Sequence, residues 1–236
     1  IISEVNEPVS IYIENLDLVF FGGQTYEDRL HELLREKYRG RDIGVVVAIG
    51  FGALNRAVKW RPGLWPDTPI VFAVVPGSEI QARPDNSTGR TIRLSLGDMV
   101  SAANAVVPNL KQVVLLGEPF DSEPAAPFRR FGKESKALSP GLSVVDLTGM
   151  PMAQLKEKVS NLSADSAILY TPIYSDGTGA HFPAAEALQM IARVANSPIV
   201  TPVETYIGLG AIGGYALVPR IIGEEAADQV LALLSG

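Results

Sequence analysis

Short, continuous apolar runs rich in valine and isoleucine recur along this chain, and helical patterns lie between them. Runs of this kind are typical of strands that are buried on both faces of a parallel sheet. The β-α-β-α alternation therefore predicts an α/β fold with one or two doubly wound parallel sheets and helices on both faces. The predicted strands are residues 9–13, 43–49, 70–75, 112–116, 143–146, 167–170 and 199–201.

Two of the predicted helices carry a start signal. Thr25 is followed three residues later by Asp28, and Ser95 is followed in the same way by Asp98. Both pairs resemble a capping box, in which the first side chain accepts a hydrogen bond from a backbone N–H of the opening turn. We therefore predict helix starts at these two points.

A polar stretch at residues 81–93 interrupts the alternation. It is rich in turn residues such as Pro84, Asn86 and Gly89, which favour loops over regular elements. It separates the predicted strand at 70–75 from a new series of α/β units. We therefore place a boundary between two lobes in this stretch.

Composition excludes several classes of protein. The net charge of −6 argues against a nucleic-acid surface, since such surfaces carry basic patches. The absence of cysteine excludes disulfides, zinc–thiolate sites, iron–sulfur clusters and cysteine nucleophiles. No apolar run approaches the roughly 18 residues of a membrane helix. Because the chain starts at Ile1 rather than Met, we expect a fragment or processed form whose membrane anchor, if it has one, lies outside it.

Ligands of open parallel sheets bind beyond the carboxyl ends of the strands. The residues that follow the predicted strands are therefore the candidate ligand contacts. Aromatic rings recur among them, which predicts a pocket lined by rings with a few polar groups. The candidates are Gly50, Phe51, Gly52, Pro76, Glu118, Phe120, Thr171, Tyr174, Asp176, Glu204, Thr205 and Tyr206.

Several candidates also have an ordinary structural interpretation. The turn from Gly50 to Gly52 either presents backbone N–H groups to an anionic ligand or makes a tight strand-to-helix connection. Asp176 precedes Gly177, so a turn or capping role competes with ligand binding. Together, Asp176 and Glu204 could bind an amine or do acid–base work. Glu204 is the better ligand candidate of the two.

Glycines cluster near the end of the chain, where their free backbone marks either a hinge or a close backbone approach. An ordinary loop is the alternative. The predicted hinge residues are Gly208, Gly210, Gly213 and Gly214.

Catalytic and cofactor motifs are missing. The glycines at 50 and 52 fit neither the dinucleotide fingerprint nor a phosphate loop. His31 and His181 are the two histidines, and neither has the company that a metal site needs. No Gly-x-Ser-x-Gly elbow is present. We therefore predict no catalytic residue, no metal and no cofactor.

Several segments together carry a family resemblance that runs over nearly the whole chain. Their order and spacing resemble the substrate-binding-protein-like sensor domains of bacterial histidine kinases. Those domains are similar to the solute-binding subunits of ABC transporters in the tryptophan- and tyrosine-binding group. The segments are residues 12–17, 47–50, 68–73, 169–171, 176–177 and 208–214.

The resemblance implies a type I periplasmic-binding fold, in which two α/β lobes close on a ligand in the cleft between them. Residues 1–92 and 212–236 would form the first lobe and residues 93–211 the second. Domains of this family usually begin with a strand, a ligand-facing loop and a helix. Residues 1–7 can hold only the end of that helix, so we expect the first strand to be missing and a sheet edge to be exposed, which a partner chain could cover.

The resemblance also implies a function. We expect an extracytoplasmic small-molecule sensor, the input domain of a two-component histidine kinase that is tethered to the inner membrane through segments outside this chain. One alternative is a free solute-binding protein of an ABC importer, and another is a small-molecule enzyme. The ligand is expected to be an amino acid or an aromatic compound. A homodimer is left open, and the chain itself is expected not to be an enzyme.

Overall fold

The computed structural model describes residues 9–80, 82–138 and 141–235. The chain divides into two compact units. One comprises the described residues up to Arg93 and those from Arg220 onward, and the other is Leu94–Pro219. The helices are α1 (Gln24–Lys37), α2 (Phe51–Leu64), α3 (Leu96–Val106), α4 (Phe131–Glu134), α5 (Met152–Val159), α6 (Ala184–Ala192) and α7 (Pro219–Leu234). The strands are β1 (Val46–Ile49), β2 (Ile70–Pro76), β3 (Ser87–Ile92), β4 (Gln112–Leu116), β5 (Ser143–Asp146), β6 (Ser166–Tyr170) and β7 (Ile199–Val200).

The first unit is built on a three-stranded parallel sheet in the order β1-β2-β3. Ile70 and Phe72 of β2 pack with Leu54 and Ala57 of α2 into one apolar cluster. Leu34 of α1 is buried in a second cluster with aromatic side chains. Because β2 lies between two strands and is covered by α2, nearly all of its residues are buried.

The second unit contains a four-stranded parallel sheet in the order β5-β4-β6-β7. Alternate residues of its central strands point to opposite faces, and both faces are buried. Val114 and Ile168 face α5 and α6, while Val113 and Leu169 face α3 and α4. This arrangement confirms the predicted α/β fold with parallel sheets and explains the continuous apolar runs.

Two sequence predictions in the first unit are wrong. Residues 9–13 form no strand, and the side chain of Ile13 is 80% exposed. A strand forms only where a neighbouring strand supplies hydrogen-bond partners for its backbone, and residues 9–13 are not paired in this way. Conversely, the polar stretch at 81–93 contains β3, which pairs with β2 on one side and lies at the edge of the sheet. An edge strand need not read as apolar, because much of its surface meets water.

The two capping predictions had different outcomes. Ser95 caps α3, since its Oγ accepts a hydrogen bond from the N–H of Asp98 at 3.3 Å. Thr25 lies inside α1, whose N-cap is Gly23 without a side-chain cap. The helix therefore starts before Thr25, and that prediction is wrong.

Residues 212–219, which we predict to lie in the first lobe, hydrogen-bond within the second unit. The N–H of Thr201 donates to Gly213 O at 3.0 Å, and the N–H of Glu204 donates to Leu217 O at 3.1 Å. The chain therefore leaves the second unit only as α7 begins. The helix end that was expected in residues 1–7 lies outside the described residues.

No helix within the described ranges is both long and apolar enough to span a bilayer.

Candidate functional site

The carboxyl edge of the second unit's sheet brings three loops together. Strands β4 and β6 pair through Leu116 and Tyr170, and β6 and β7 pair through Leu169 and Val200. All of them run in the same direction, so the chain leaves each strand at one common edge. The loops that follow are residues 117–121, 171–177 and 201–206.

Glu118 joins two of these loops. Its side chain is 4% exposed, and Oε1 accepts hydrogen bonds from the N–H groups of Tyr174 and Ser175 at 2.8 and 2.7 Å. The hydroxyl of Ser175 donates to the same carboxylate at 3.3 Å. A buried carboxylate needs such donors, because without them it would have lost its hydration at high cost. The interactions of Glu118 fix the backbone at the point where the loop after β6 turns.

The loop before Glu118 depends on a glycine. A Cβ on Gly117 would collide with Oγ1 of Thr171. The Thr171 side chain is buried, and its hydroxyl donates to Leu116 O at 3.1 Å. Both residues therefore set the close approach of the two loops, and the Thr171 hydroxyl already has a protein partner.

Three tyrosines, Tyr170, Tyr174 and Tyr206, lie at or just beyond this carboxyl edge of the sheet. Tyr170 and Tyr206 meet edge to face with ring centroids 5.8 Å apart, and the hydroxyl of Tyr170 donates to Ala184 O at 3.0 Å. Burial raises the pKa of Tyr174, and the negative charge of Glu118 raises it further. Burial also raises the pKa of Tyr206, with Tyr174 as the second cause. All three rings are therefore neutral at pH 7; Tyr170 is fully buried, Tyr206 is 9% exposed, and Tyr174 is half-buried.

Asp176 caps a helix that lies far from it in sequence. Its Oδ2 accepts from the N–H of Met152, the first residue of α5, at 2.8 Å. Its Oδ1 accepts from the N–H and the hydroxyl of Thr178 at 2.9 and 2.6 Å and from the N–H of Ala180 at 3.2 Å. Desolvation acts to raise the pKa of Asp176, but these hydrogen bonds outweigh it and hold the pKa at about 2. The structure thus shows the capping role, and both carboxylate oxygens are engaged in it.

The loop after β7 presents polar side chains to solvent. Glu204 and Thr205 are exposed in a single turn of 3₁₀ helix, Glu204–Tyr206, while Tyr206 is 9% exposed. Glu204 therefore supplies an accessible carboxylate next to a nearly buried aromatic ring. Its role as a ligand contact stays a prediction.

Phe120 is half-buried and packs on Phe131 with ring centroids 6.2 Å apart. The ring belongs to the edge of the apolar cluster on the α3 and α4 side of the sheet. Part of its surface remains accessible, so a ligand contact by Phe120 stays a prediction beside this packing role.

The other predicted contacts belong to the first unit. Gly50 is the N-cap of α2 with a φ of 90°, a conformation that favours glycine. Phe51 and Gly52 form the first turn of α2, and Pro76 is the buried last residue of β2. The strand-to-helix turn is therefore present. That its backbone N–H groups bind an anion remains a prediction.

The predicted hinge glycines lie in a turn after β7. Gly208 has a φ of 84°, and its N–H donates to Ala211 O at 3.0 Å. A Cβ on Gly210 would collide with Ala192, and one on Gly214 would collide with Thr201 O. Gly213 also has a positive φ, of 154°. These contacts give a packing reason for Gly210 and Gly214, the positive φ gives a conformational reason for Gly208 and Gly213, and hinge motion stays a prediction.

Sequence reasoning missed Ser175 and Met152. Ser175 supplies an N–H and a hydroxyl to Glu118, and Met152 supplies the N–H that Asp176 caps. The order of the strands in the sheet is the information that would have pointed to these two residues. A carboxylate just after one strand and a polar loop after the next meet at the same edge, provided that the two strands are neighbours.

Neither histidine takes part in a metal-ligand cluster. Among the described residues, no three His, Asp or Glu side chains are placed to hold an ion together. His31 stacks on Trp60 with ring centroids 5.6 Å apart, and His181 forms a backbone bridge with Ser175.

Comparison with known proteins gives similarity at the level of structure. No family model matches the chain, and no curated protein does so either. The chain is similar to a conserved domain protein from Vibrio cholerae O1 biovar El Tor, with a TM-score of 0.58, 22% identity and coverage of 89% of this chain and 70% of that one.

Two further solved structures are similar over the same share of this chain. One is the ligand-free, open structure of a substrate binding protein with adhesive properties from Clostridium difficile, with a TM-score of 0.59, 12% identity and 70% of that chain covered. The other is an ABC domain in complex with L-Trp from Streptococcus pneumonia, with a TM-score of 0.57, 15% identity and 72% of that chain covered. These similarities show that the chain has the α/β fold of substrate-binding proteins.

Proposed function

We propose that this chain is an extracytoplasmic domain that binds a small molecule at the carboxyl edge of the second unit's sheet. The observation that carries the proposal is the buried Glu118, which fixes the loop after β6 beside the rings of Tyr174 and Tyr206. A rigid edge with aromatic surface and a few polar groups is the usual form of a small-ligand site.

An amino acid or an aromatic compound is the ligand class that this surface fits best. Neutral tyrosine rings offer flat apolar contact, and the exposed carboxylate of Glu204 offers a partner for an amine. The similar Streptococcus pneumonia structure is a complex with L-Trp, which supports testing this class first.

Two physiological settings fit the same binding activity. The first is the sensor input of a membrane-tethered histidine kinase. The resemblance of the sequence to such sensor domains supports this setting. The second is a free solute-binding protein of an ABC importer, which is favoured by the similarity to a substrate binding protein and to an ABC domain in complex with L-Trp. The gene sequence downstream of the Gly236 codon separates them, because only the sensor continues into a membrane helix and a kinase core.

A thermal-shift screen of the purified chain against amino acids, aromatic acids, nucleosides and sugars tests the proposal. A ligand at 100 times its dissociation constant stabilises a folded protein by roughly 2.7 kcal/mol. With a hit in hand, Glu204→Gln should weaken an amine-bearing ligand by about tenfold, the loss of one charge-assisted contact. Glu186→Gln is the matched control, since Glu186 is exposed in the first turn of α6.

We further propose that the ligand is bound without being converted. Incubating the chain with each hit and following the compound by mass spectrometry tests this point. Recovery of the unchanged ligand is expected. A product that forms in proportion to protein concentration would instead support the small-molecule enzyme.

A further inference from the structure

A basic cavity of about 540 Å³ lies on the first unit beside the end of α1. It is lined by residues of the basic segment 35–41, which includes the end of α1, and by two residues of α2. These are Arg35, Tyr38, Arg39, Gly40, Arg41, Gly63 and Leu64. Three exposed arginines thus line one open depression in a chain whose net charge is −6.

Part of this positive charge is already neutralised. Lys37, which lies beside the cavity without lining it, pairs with Glu14, and among the three arginines Arg39 pairs with Glu36 at 2.5 Å. The second pair is about two-thirds exposed on both sides, so it competes weakly with an incoming anion. Within the described ranges, no carboxylate is paired with Arg35 or Arg41. The cavity therefore keeps about two uncompensated positive charges.

Arg41 is held in place by other contacts. Its guanidinium lies 5.6 Å from the centroid of the Tyr12 ring, and Nη1 donates to the Tyr12 hydroxyl at 3.3 Å. The Nε group donates to Lys37 O at 3.4 Å. Tyr12 in turn meets the buried Tyr38 edge to face. Holding the guanidinium in advance reduces the entropy that is lost when an anion binds.

The helix dipole explains only part of the cluster. Basic residues in the last turn of a helix interact favourably with its carbonyl end, and Arg35 and Lys37 lie there. Arg39 and Arg41 follow the end of α1, so the dipole does not account for them.

We propose that this cavity binds a phosphate group, carried either by a soluble phosphorylated compound or by the headgroup of an anionic phospholipid. Guanidinium groups match phosphate oxygens through paired hydrogen bonds. Two uncompensated charges match the roughly −1.5 to −2 charge of a phosphate monoester better than the single charge of a carboxylate.

Titration with inorganic pyrophosphate, followed by tryptophan fluorescence, tests the proposal. Both tryptophans lie in this part of the first unit, and Trp65 meets Tyr38 with ring centroids 6.1 Å apart. We expect saturable binding that weakens as salt is added. The double variant Arg35→Gln with Arg41→Gln should bind at least about tenfold more weakly, since each lost guanidinium removes a charge-assisted hydrogen bond.

A second double variant controls for net charge. Arg29→Gln with Arg193→Gln removes the same charge from exposed positions outside the cavity and should bind like the parent. Arg35→Gln alone guards against misfolding, because this side chain makes no ion pair within the described ranges. It should weaken binding while leaving the unfolding midpoint unchanged.

Co-sedimentation with vesicles distinguishes the two sources of phosphate. Binding to vesicles that contain phosphatidic acid, whose headgroup is a phosphate monoester, but not to pyrophosphate, lost in the cavity variant, supports the headgroup. Binding to pyrophosphate with the same loss supports a soluble compound. Equal binding by the two double variants, or no binding to either probe, overturns the proposal.

Discussion

The carboxylate of Glu118 and the backbone N–H of Ser175 are joined by a hydrogen bond of 2.7 Å, although 57 residues separate them in sequence. This contact connects the loops after β4 and β6, and it lies at the edge where we propose that the ligand binds. Glu118 therefore holds the backbone of the loop that contains Tyr174 in place.

Replacing Glu118 should separate its two properties, acceptance of hydrogen bonds and charge. Glu118→Ala leaves the N–H groups of Tyr174 and Ser175 without their partner, so it should lower the free energy of unfolding by about 2–3 kcal/mol. Glu118→Gln retains one acceptor oxygen and should cost about 1 kcal/mol. Urea unfolding measures both, with Glu186→Gln as an exposed control. Equal losses for Ala and Gln would contradict this role.

Asp176 should make stability depend on acid. Its folded-state pKa of about 2 is below the ordinary value of 3.8. The stabilisation is therefore present above pH 3.8 and is lost as the pH falls through the folded-state value. Asp176→Ala should cost about 1–2 kcal/mol near neutral pH, as for other helix caps. The parent and the variant should converge toward pH 2. A constant difference across this range would show that the ionised carboxylate is not the stabilising species.

Four of the seven tyrosines should resist ionisation at high pH. Burial is the first cause of the raised pKa at each, namely Tyr38, Tyr170, Tyr174 and Tyr206. A raised folded-state pKa gives a stabilisation that is fully present below pH 10, the ordinary pKa of tyrosine. This stabilisation is lost as the pH rises through the raised folded-state pKa. The absorbance of tyrosinate near pH 11 should thus be clearly lower in the folded than in the urea-unfolded protein. Identical titration curves would show that the rings are accessible.

Two glycine substitutions should have opposite effects. Gly117→Ala forces a Cβ into Thr171, so it should destabilise the protein by about 1–3 kcal/mol, the usual cost of overpacking. Gly223→Ala places a methyl group in open space inside α7, and it should stabilise by about 0.5–1 kcal/mol. Thermal unfolding compares the two directly. A neutral Gly117→Ala would mean that the loops after β4 and β6 are farther apart than the structure shows.

The strands of the second unit were predictable because burial on both faces leaves a clear signal. The strands at 112–116 and 143–146 were found with the predicted bounds. In the first unit, the apolar pattern does not predict the polar edge strand β3, and it predicts a strand at 9–13 that the structure lacks. Both errors concern pairing, which depends on neighbours that lie far away in sequence.

The candidate site was predictable only as a set of strand ends. Glu118, Tyr174 and Tyr206 were named because each follows a predicted strand, and the parallel sheet brings those ends to one edge. What each side chain does there could not be read from the sequence. Thr171 and Asp176 were named by the same rule, yet their polar atoms bind Leu116 O and the start of α5. The partners of a polar side chain depend on loop geometry, which the pattern of apolar runs does not encode.

Hydrogen–deuterium exchange with and without the best hit of the thermal-shift screen tests the central claim most directly. If the ligand binds at the carboxyl edge of the second unit, amides of residues 117–121, 171–177 and 201–206 should exchange more slowly when it is present. Protection should be smaller on the opposite edge, where the same strands begin. Slowed exchange confined to other parts of the chain, with these three loops unchanged, would contradict the proposed site.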